Sequence, residues 1–383
     1  MKSVVIIAAQ RTPIGRFLGG LAELSAVDLG VAAGEAVLAG VNRSEVDQVI
    51  LGNVLAAGQG MNIARQIGLK LGLPQETPAF TVNLMCGSGL QSLLLAAQAV
   101  RAGEARCVLC GGVESMSQAP YLLPRARTGY KFGDGVLCDA ILRDGLVDSL
   151  TQQHMGLTAE ALARRYNITR SEQDEYALAS QARHAVAAAD DLFSAELTPV
   201  AKVVADEHPR ADTTLERLAK LKPAFDPSGT VTAGNASGIN DGAACLLLAD
   251  EDFARSRGYP ILAKFVDGVV CGCDPALMGL GPVHAARKLM SRTGTALADY
   301  DAVEINEAFA AQVLACTREL QLNVSRINPH GGAIALGHPI GMSGARLAVH
   351  VIHQLARRSA RRALATLCIG GGMGIAAEFV AIE

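Results

Sequence analysis

Residues Asn328-Pro-His-Gly-Gly-Ala-Ile-Ala-Leu-Gly-His-Pro-Ile-Gly-Met-Ser-Gly-Ala-Arg346 contain a tetrapeptide, Gly341-Met-Ser-Gly344, that echoes Cys86-Gly-Ser-Gly89 far upstream. Two further pairs keep nearly the same offset. Tyr300-Asp-Ala-Val-Glu-Ile-Asn306 parallels Val46-Asp-Gln-Val-Ile-Leu-Gly52, and Leu367-Cys-Ile-Gly-Gly371 parallels Leu109-Cys-Gly-Gly112. An internal duplication explains three matched segments in the same order. The two copies should pack as a pseudo-symmetric pair, with the helix N-termini after Cys86 and Gly341 facing a shared centre. Only the first copy carries a cysteine at the start of that motif.

Working outward, apolar runs and helical periods alternate: strands at Val4–Ala9, Gln48–Leu51, Ala79–Val82, Cys107–Gly112 and Ala365–Ile369, and helices at Ala26–Leu38 and Ala64–Leu71. Leu90, Leu93, Leu94, Ala97 and Val100 mark a buried helix just past Cys86. That order predicts an α/β fold with parallel pairing. From about Ser117 to Asn240 the pattern breaks, with prolines at 120, 124, 199, 209, 223 and 227 and a long helical stretch at Met155–Ala189. Such an excursion reads as an inserted lid or loop domain over a site. The expected division is residues 1–117 plus 240–258, an insertion 118–239, and a second half 259–383.

With 383 residues and 50% hydrophobic content the chain can bury a large core. A formal charge of −3 leaves no footprint for nucleic acid, and Arg357-Arg358 and Arg361-Arg362 read as a solvated helix face. No segment approaches the roughly 20 apolar residues that span a bilayer. The opening run is too short for a signal-peptide core, and Lys2 alone supplies charge before it. Nine cysteines scattered through apolar runs fit reduced thiols and a cytoplasmic location.

Some motifs are set aside. Cys107 and Cys110 have redox spacing, but on a strand they point to opposite faces. Cys271-Gly-Cys273 and the histidines lack zinc-site spacing, so no metal is inferred. The glycine runs match neither a dinucleotide fingerprint nor a Walker loop.

Three residues remain on glycine-rich turns. Cys86 follows a strand and opens a helix, where the dipole and free N–H groups favour thiolate. His338 is held in a turn between Gly337 and Pro339, and Cys368 precedes Gly370-Gly-Gly372. A histidine with two cysteines is a nucleophile, base and acid set suited to an acyl substrate. Asn306 and Glu307 end a strand: either side chain could cap the next helix, or Asn306 could point a donor at the site.

These residues coincide with a family. Val82-Asn-Leu-Met-Cys-Gly-Ser-Gly-Leu90, Asn306-Glu-Ala-Phe309, Gly337-His-Pro-Ile-Gly341 and Cys368-Ile-Gly-Gly-Gly-Met-Gly374 resemble the thiolases, along the whole chain. His154-Met-Gly156 and Thr232-Ala-Gly-Asn-Ala-Ser-Gly238 look most like the biosynthetic, acetyl-CoA acetyltransferase branch. The resemblance implies duplicated halves packed in αβαβα layers and a reversible condensation of two acetyl-CoA to acetoacetyl-CoA and CoA. It implies acylation of Cys86 with His338 taking its proton, and α-proton removal by Cys368. One oxyanion hole would use His338 and an Asn306-held water, the other the N–H groups of Cys86 and Gly370. CoA contacts map onto His154, Met155, Arg210, Phe225, Ala233, Ser237, Met278 and Phe309. Near Arg217 the family pattern has a small polar residue instead. CoA thioesters are then substrates, no cofactor is expected, and a homotetramer is implied.

Other readings differ in kind. A thiolase for longer or dicarboxylic 3-ketoacyl chains accommodates Leu84-Met85 and Met342. A decarboxylating ketosynthase or a hydroxymethylglutaryl-CoA synthase would lack Cys368. A silent acyl-CoA-binding protein on the same fold would be expected to lack one of Cys86, His338 and Cys368.

Overall fold

The computed structural model describes residues 2–382. The strands are β1 (Val4–Arg11), β2 (Gly15–Arg16), β3 (Gln48–Gly52), β4 (Ala79–Val82), β5 (Cys107–Ser115), β6 (Tyr121–Leu122), β7 (Cys138–Asp139), β8 (Asn240–Asp250), β9 (Ala263–Gly272), β10 (Ala302–Ile305), β11 (Arg362–Ile369) and β12 (Met373–Val380). The helices are α1 (Ala26–Val37), α2 (Ile63–Lys70), α3 (Ser88–Ala102), α4 (Met155–Arg165), α5 (Arg170–Ala189), α6 (Leu215–Ala219), α7 (Glu251–Arg257), α8 (Gly281–Thr293), α9 (Ala310–Leu320), α10 (Ala333–Leu336) and α11 (Ile340–Ala356).

The duplication is visible in the pairing. From one centre the sheet runs β1-β8-β5-β3-β4, and from the same centre the other way β9-β12-β11-β10. In each wing the inner pairs are antiparallel, while β3–β5 and β10–β11 are parallel. The second wing reduces its counterpart of β4 to a single parallel bridge, Val303 to Ile327. The halves are not only packed in layers. Val4, Val5 and Ile6 pair with Phe265, Lys264 and Ala263, which joins both wings into one ten-stranded sheet.

Because strand side chains alternate faces, each wing buries both surfaces. In β5, Val108 and Cys110 face a central core that includes Leu93, Leu347 and Leu367. Cys107, Leu109 and Val113 face the opposite core against Leu29 and Ile67 of α1 and α2. Leu364 and Ala376 of the second wing face α8 and α9 through Val283, Leu289 and Val313. Helices α3 and α11 contact each other and strands of both wings, so the layers run α, β, α, β, α.

The crossing of α3 and α11 needs two glycines. A methyl on Gly89 would stand 2.8 Å from the Ala345 nitrogen, and one on Gly344 would stand 2.6 Å from the Leu90 nitrogen. The repeated tetrapeptide is therefore also a packing motif that brings both helix N-termini together.

Two expectations need correction. The stretch 155–189 is two helices, broken where Asn167 turns left-handed at φ 49 and Thr169 forms a capping box with Glu172. Arg357, Arg358 and Arg361 lie in the turn between α11 and β11 and Arg362 opens β11, so none belongs to a helix face, since α11 stops at Ala356.

Candidate active site

A cavity of about 340 Å³ opens where the insertion meets both halves. Its wall includes Cys86, His338, Cys368 and Gly370, with His154, Met155, Arg210, Phe225, Ala233, Ser237, Met278 and Phe309. Asn306 and Glu307, also singled out from the sequence, lie off the wall and fully buried, Asn306 beside the His338 ring.

Cys86 is delivered by a tight turn after β4. The Ser88 hydroxyl accepts from Leu84 N at 2.8 Å and donates to the Met85 carbonyl at 2.6 Å, while Asn83 Oδ1 accepts from Met85 N at 2.9 Å. Met85 is held at φ 47, in the left-handed region. Cys86 as a residue is half-buried and lines the cavity. Burial nevertheless pushes the thiol up to about 11, against the pull of hydrogen bonds from Gly370 N–H and its own N–H. The thiolate expected from the helix terminus is thus not the resting form, because desolvation outweighs the local donors. Cys86 needs a base.

His338 sits between α10 and α11. Gly337 adopts φ 101, and a Cβ there would collide with the Asn240 side chain at 2.4 Å. Asn240 Oδ1 accepts from His338 N at 3.0 Å and its Nδ2 donates to the Gly15 carbonyl at 2.9 Å. On the ring, Nδ1 lies 2.5 Å from the Ser343 hydroxyl, which itself donates to the Pro339 carbonyl at 2.8 Å. With the hydroxyl hydrogen given to Pro339, Ser343 accepts from Nδ1–H and the lone pair falls on Nε2, the assignment that also lets Asn306 Nδ2 donate toward Nε2. Burial, helped by Arg346, lowers His338 to about 4, so the ring rests neutral. Asn306 Nδ2 lies 3.4 Å from Nε2. The helix that follows is capped at Phe309, so capping is not the role of Asn306.

Cys368 stands opposite Gly374 in the β11–β12 ladder, one residue before the strand ends. Gly371 and Gly372 turn at φ 84 and 82. Burial, with Cys86 close by, pushes its thiol well above the ordinary range. It too rests protonated.

The rest of the wall is mostly apolar, with His154, His208, Arg210 and Ser237 as its polar members. His154 stacks on Phe225 with centroids 4.6 Å apart, and Phe225 meets Phe309 edge-on at 6.1 Å. Gly156 is obligatory beneath that stack, since a Cβ would stand 2.2 Å from the Phe225 ring. His154 Nδ1 accepts from Gly156 N at 3.0 Å, and burial keeps the ring neutral by lowering its pKa. Ser237 already donates its hydroxyl to the Ala308 carbonyl at 3.0 Å, so it offers a ligand lone pairs only.

Several supporting residues escaped the sequence reading. Ser343 lay inside the quoted motif, but its role depends on the helical turn back to His338. Asn240 had no local signal. Glu114, wholly buried, accepts from Asn53 Nδ2, Val54 N, Leu55 N and Gly341 N at 2.8 to 3.2 Å, and burial pushes its carboxyl up to about 7. Glu307, next to Asn306, accepts from Tyr176, Ser180, Asn328 and Ile334 N at 2.7 to 3.0 Å, tying β10 to the insertion. A fully buried carboxylate with four donors is invisible until its neighbours are known.

Residues 4–252 match the thiolase N-terminal domain and residues 259–381 the thiolase C-terminal domain. The chain is 50% identical to an acetyl-CoA acetyltransferase of Pseudomonas aeruginosa and 51% identical to one of Escherichia coli, in each case over 98% of both chains. The human mitochondrial 3-ketoacyl-CoA thiolase in complex with CoA superposes with a TM-score of 0.97 at 45% identity, covering 100% of this chain and 98% of that one. The acetyl-CoA acetyltransferase of Bacillus anthracis gives 0.97 at 43% identity, covering 100% and 99%. With both domains matched in order and the duplicated fold reproduced end to end, the chain belongs to the thiolase family.

Proposed function

We propose that the protein is an acetyl-CoA C-acetyltransferase, joining two acetyl-CoA into acetoacetyl-CoA and CoA and running the reverse thiolysis. The observation that carries this reading is a single cavity wall holding both cysteine thiols and the His338 ring, whose Nδ1 lies 2.5 Å from the Ser343 hydroxyl so that Nε2 is left to act. Full-length similarity to acetyl-CoA acetyltransferases supports it.

The proton inventory orders the steps. His338 Nε2 takes the Cys86 proton as the sulfur attacks the thioester carbonyl, and the oxyanion is held by the N–H groups of Cys86 and Gly370. CoA leaves as the carbonyl re-forms, protonated by Cys368, which is a thiol at rest. Cys368 is then a thiolate and removes the α-proton of the second acetyl-CoA. That carbanion attacks the acetyl-Cys86 carbonyl, with His338 Nε2–H, now a donor, facing the enolate oxygen and Asn306 Nδ2 beside that nitrogen. Cys86 leaves and recovers its proton from His338. Each transfer is assigned to a residue of the chain, so the scheme calls for no cofactor. Peptide mass spectrometry after exposure to acetyl-CoA should find the acetyl group on Cys86; an adduct mainly on Cys368 would reverse the two cysteine roles.

A second reading, thiolysis of longer or dicarboxylic 3-ketoacyl chains, has one observation in its favour. A separate cavity of about 560 Å³ shares Gly145, Met155 and Gly370 with the first and reaches Asn83, Met85 and Arg143. Since the CoA arm occupies the first cavity, a long acyl chain on Cys86 would leave through the second. Steady-state rates with acetoacetyl-CoA and a longer 3-ketoacyl-CoA separate the readings by their kcat/KM ratio.

The assembly we propose is a homotetramer. Tyr121, Leu123, Phe132, Val136 and Leu137 are 44 to 102% exposed on one excursion of the insertion, more apolar surface than a solvated loop carries. Light scattering that returned 39.8 kDa at micromolar concentration would exclude it. Among the described residues no helix is long and apolar enough to cross a membrane. A reducing, cytoplasmic setting fits two cysteines that must remain thiols to act.

A further inference from the structure

Beside the reaction cavity lies a second one of about 210 Å³ with a more polar wall, and the two share His208, Arg210 and Ala233. Past that junction the wall is Asp212, Thr213, Arg217 and Leu221. We propose that Arg217 is a specificity residue that recognises the 3′-phosphate of CoA, exchanging its resting partner Asp212 for the phosphate when the nucleotide arrives. The inference rests on the CoA reading above.

The order of groups along the ligand leads there. With its sulfur at Cys86, a CoA thioester runs its uncharged arm along the apolar wall, then its diphosphate, then the ribose with the 3′-phosphate. The cations follow the same order: Arg210 lines both cavities and Arg217 only the outer one. His208 does not compete as a cation, since burial and Arg210 push it down to about 4. Helix α6, capped by Thr214, whose hydroxyl accepts from Arg217 N at 3.3 Å, sets the base of the arginine. The loop behind it is fixed by Thr213, which donates to the Arg210 carbonyl at 2.8 Å.

The resting pair is built to be exchanged. The Arg217 guanidinium donates to the Asp212 carboxylate and to the Asp212 carbonyl, and the two side chains are 62 and 75% exposed. An ion pair that open to water contributes little. A phosphate monoester carries more charge and more acceptor oxygens than a carboxylate, and the planar guanidinium matches it with two parallel donors. Asp212 repels the same phosphate, so it sets a cost that an anion weaker than phosphate does not meet.

The test measures KM for acetyl-CoA and 3′-dephospho-acetyl-CoA, with calorimetric titration of CoA and 3′-dephospho-CoA as a binding readout independent of turnover. In the unaltered chain, removing the 3′-phosphate should raise KM and Kd by about tenfold, the scale of one charge-assisted contact. R217S should raise both for acetyl-CoA by that factor, abolish the difference between the two ligands and leave kcat unchanged. D212N should tighten CoA and leave 3′-dephospho-CoA where it was. The difference should shrink as salt rises. Equal use of both ligands by the unaltered chain, or full discrimination in R217S, overturns the proposal. If acetyl-CoA neither reacts nor acylates Cys86, the acetyltransferase reading fails, and the titrations still decide for or against Arg217.

Discussion

The two halves share a topology and use it differently, and the contrast is sharpest at their equivalent helix N-termini. In the first half Cys86 stands just before α3, with its thiol on the cavity wall. In the second, the N-terminus of α11 is occupied by a carboxylate, with Gly341 N donating to Glu114 at 2.8 Å. The strands before the shared centre diverge too. Strand β5 continues past Cys110 to Ser115, buried throughout, so Cys110 faces only the central core. Strand β11 stops at Ile369 and turns through three glycines, which leaves Cys368 on the cavity wall. One duplicated frame thus yields a reactive and a structural version of each position, decided by where a strand ends and what fills a helix terminus.

The contrast breaks first at the nucleophile. Cys86→Ala should lose acetyl transfer by about 10⁴-fold or more, with no acetyl-peptide found by mass spectrometry. An acetylated variant of normal rate would mean that the first half is not the reactive one.

Next come the paired cysteines. Cys368→Ser should still acylate at Cys86 while condensation falls by about 10² to 10⁴-fold, because a hydroxyl is a far weaker acid than a thiol. Cys110→Ser should do the reverse, keeping the rate while losing about 1–3 kcal/mol in denaturant unfolding for a hydroxyl placed in an apolar core. Equal effects on rate at both positions would erase the distinction between the strands.

Glu114 sharpens the comparison of helix termini through pH. Burial holds its carboxyl at about 7 against an ordinary 4.5. Between those values the folded chain keeps a proton that the unfolded chain has released, so the group contributes most below about 4.5 and loses that contribution as pH rises through 7. At roughly 1.4 kcal/mol per pH unit the loss reaches ~3 kcal/mol. Unfolding of the unaltered chain and of Glu114→Gln, compared from pH 4.5 to 8, should show that slope only in the former; parallel curves would mean that Glu114 does not titrate there.

The smallest effect separates binding from chemistry. Ser237 lies in the insertion and lends lone pairs to the ligand arm, so Ser237→Ala should raise KM by about fivefold, ~1 kcal/mol for a neutral hydrogen bond, with kcat little changed. A collapse of kcat comparable to that of His338→Ala would put the insertion inside the reaction centre.

Much of this was legible in the chain. Strand Ala79–Val82 was read with its observed ends, and Val4–Ala9 and Gln48–Leu51 fell short by two residues and one. Runs of β-branched and apolar residues bounded by turn residues are local signals. The long helical stretch read at 155–189 is helical except at Tyr166–Thr169, where apolar periodicity continues but the capping box starts a second helix. Cys86, His338 and Cys368 were legible because glycines crowd the turns that present them.

Repeats, periodicity and turn chemistry depend on near neighbours along the chain, so they were enough for the duplication, the α/β alternation and the turns of Cys86, His338 and Cys368, while the CoA-lining residues were reached through the family resemblance. Tertiary structure alone decided the protonation states, the tautomer of His338 and the joining of both wings into one sheet. Cys86 shows why: its helix terminus argues for thiolate, yet its pKa is governed by burial among groups hundreds of residues away, Gly370 included. Desolvation is a property of the assembled surroundings, and no short stretch of sequence carries it.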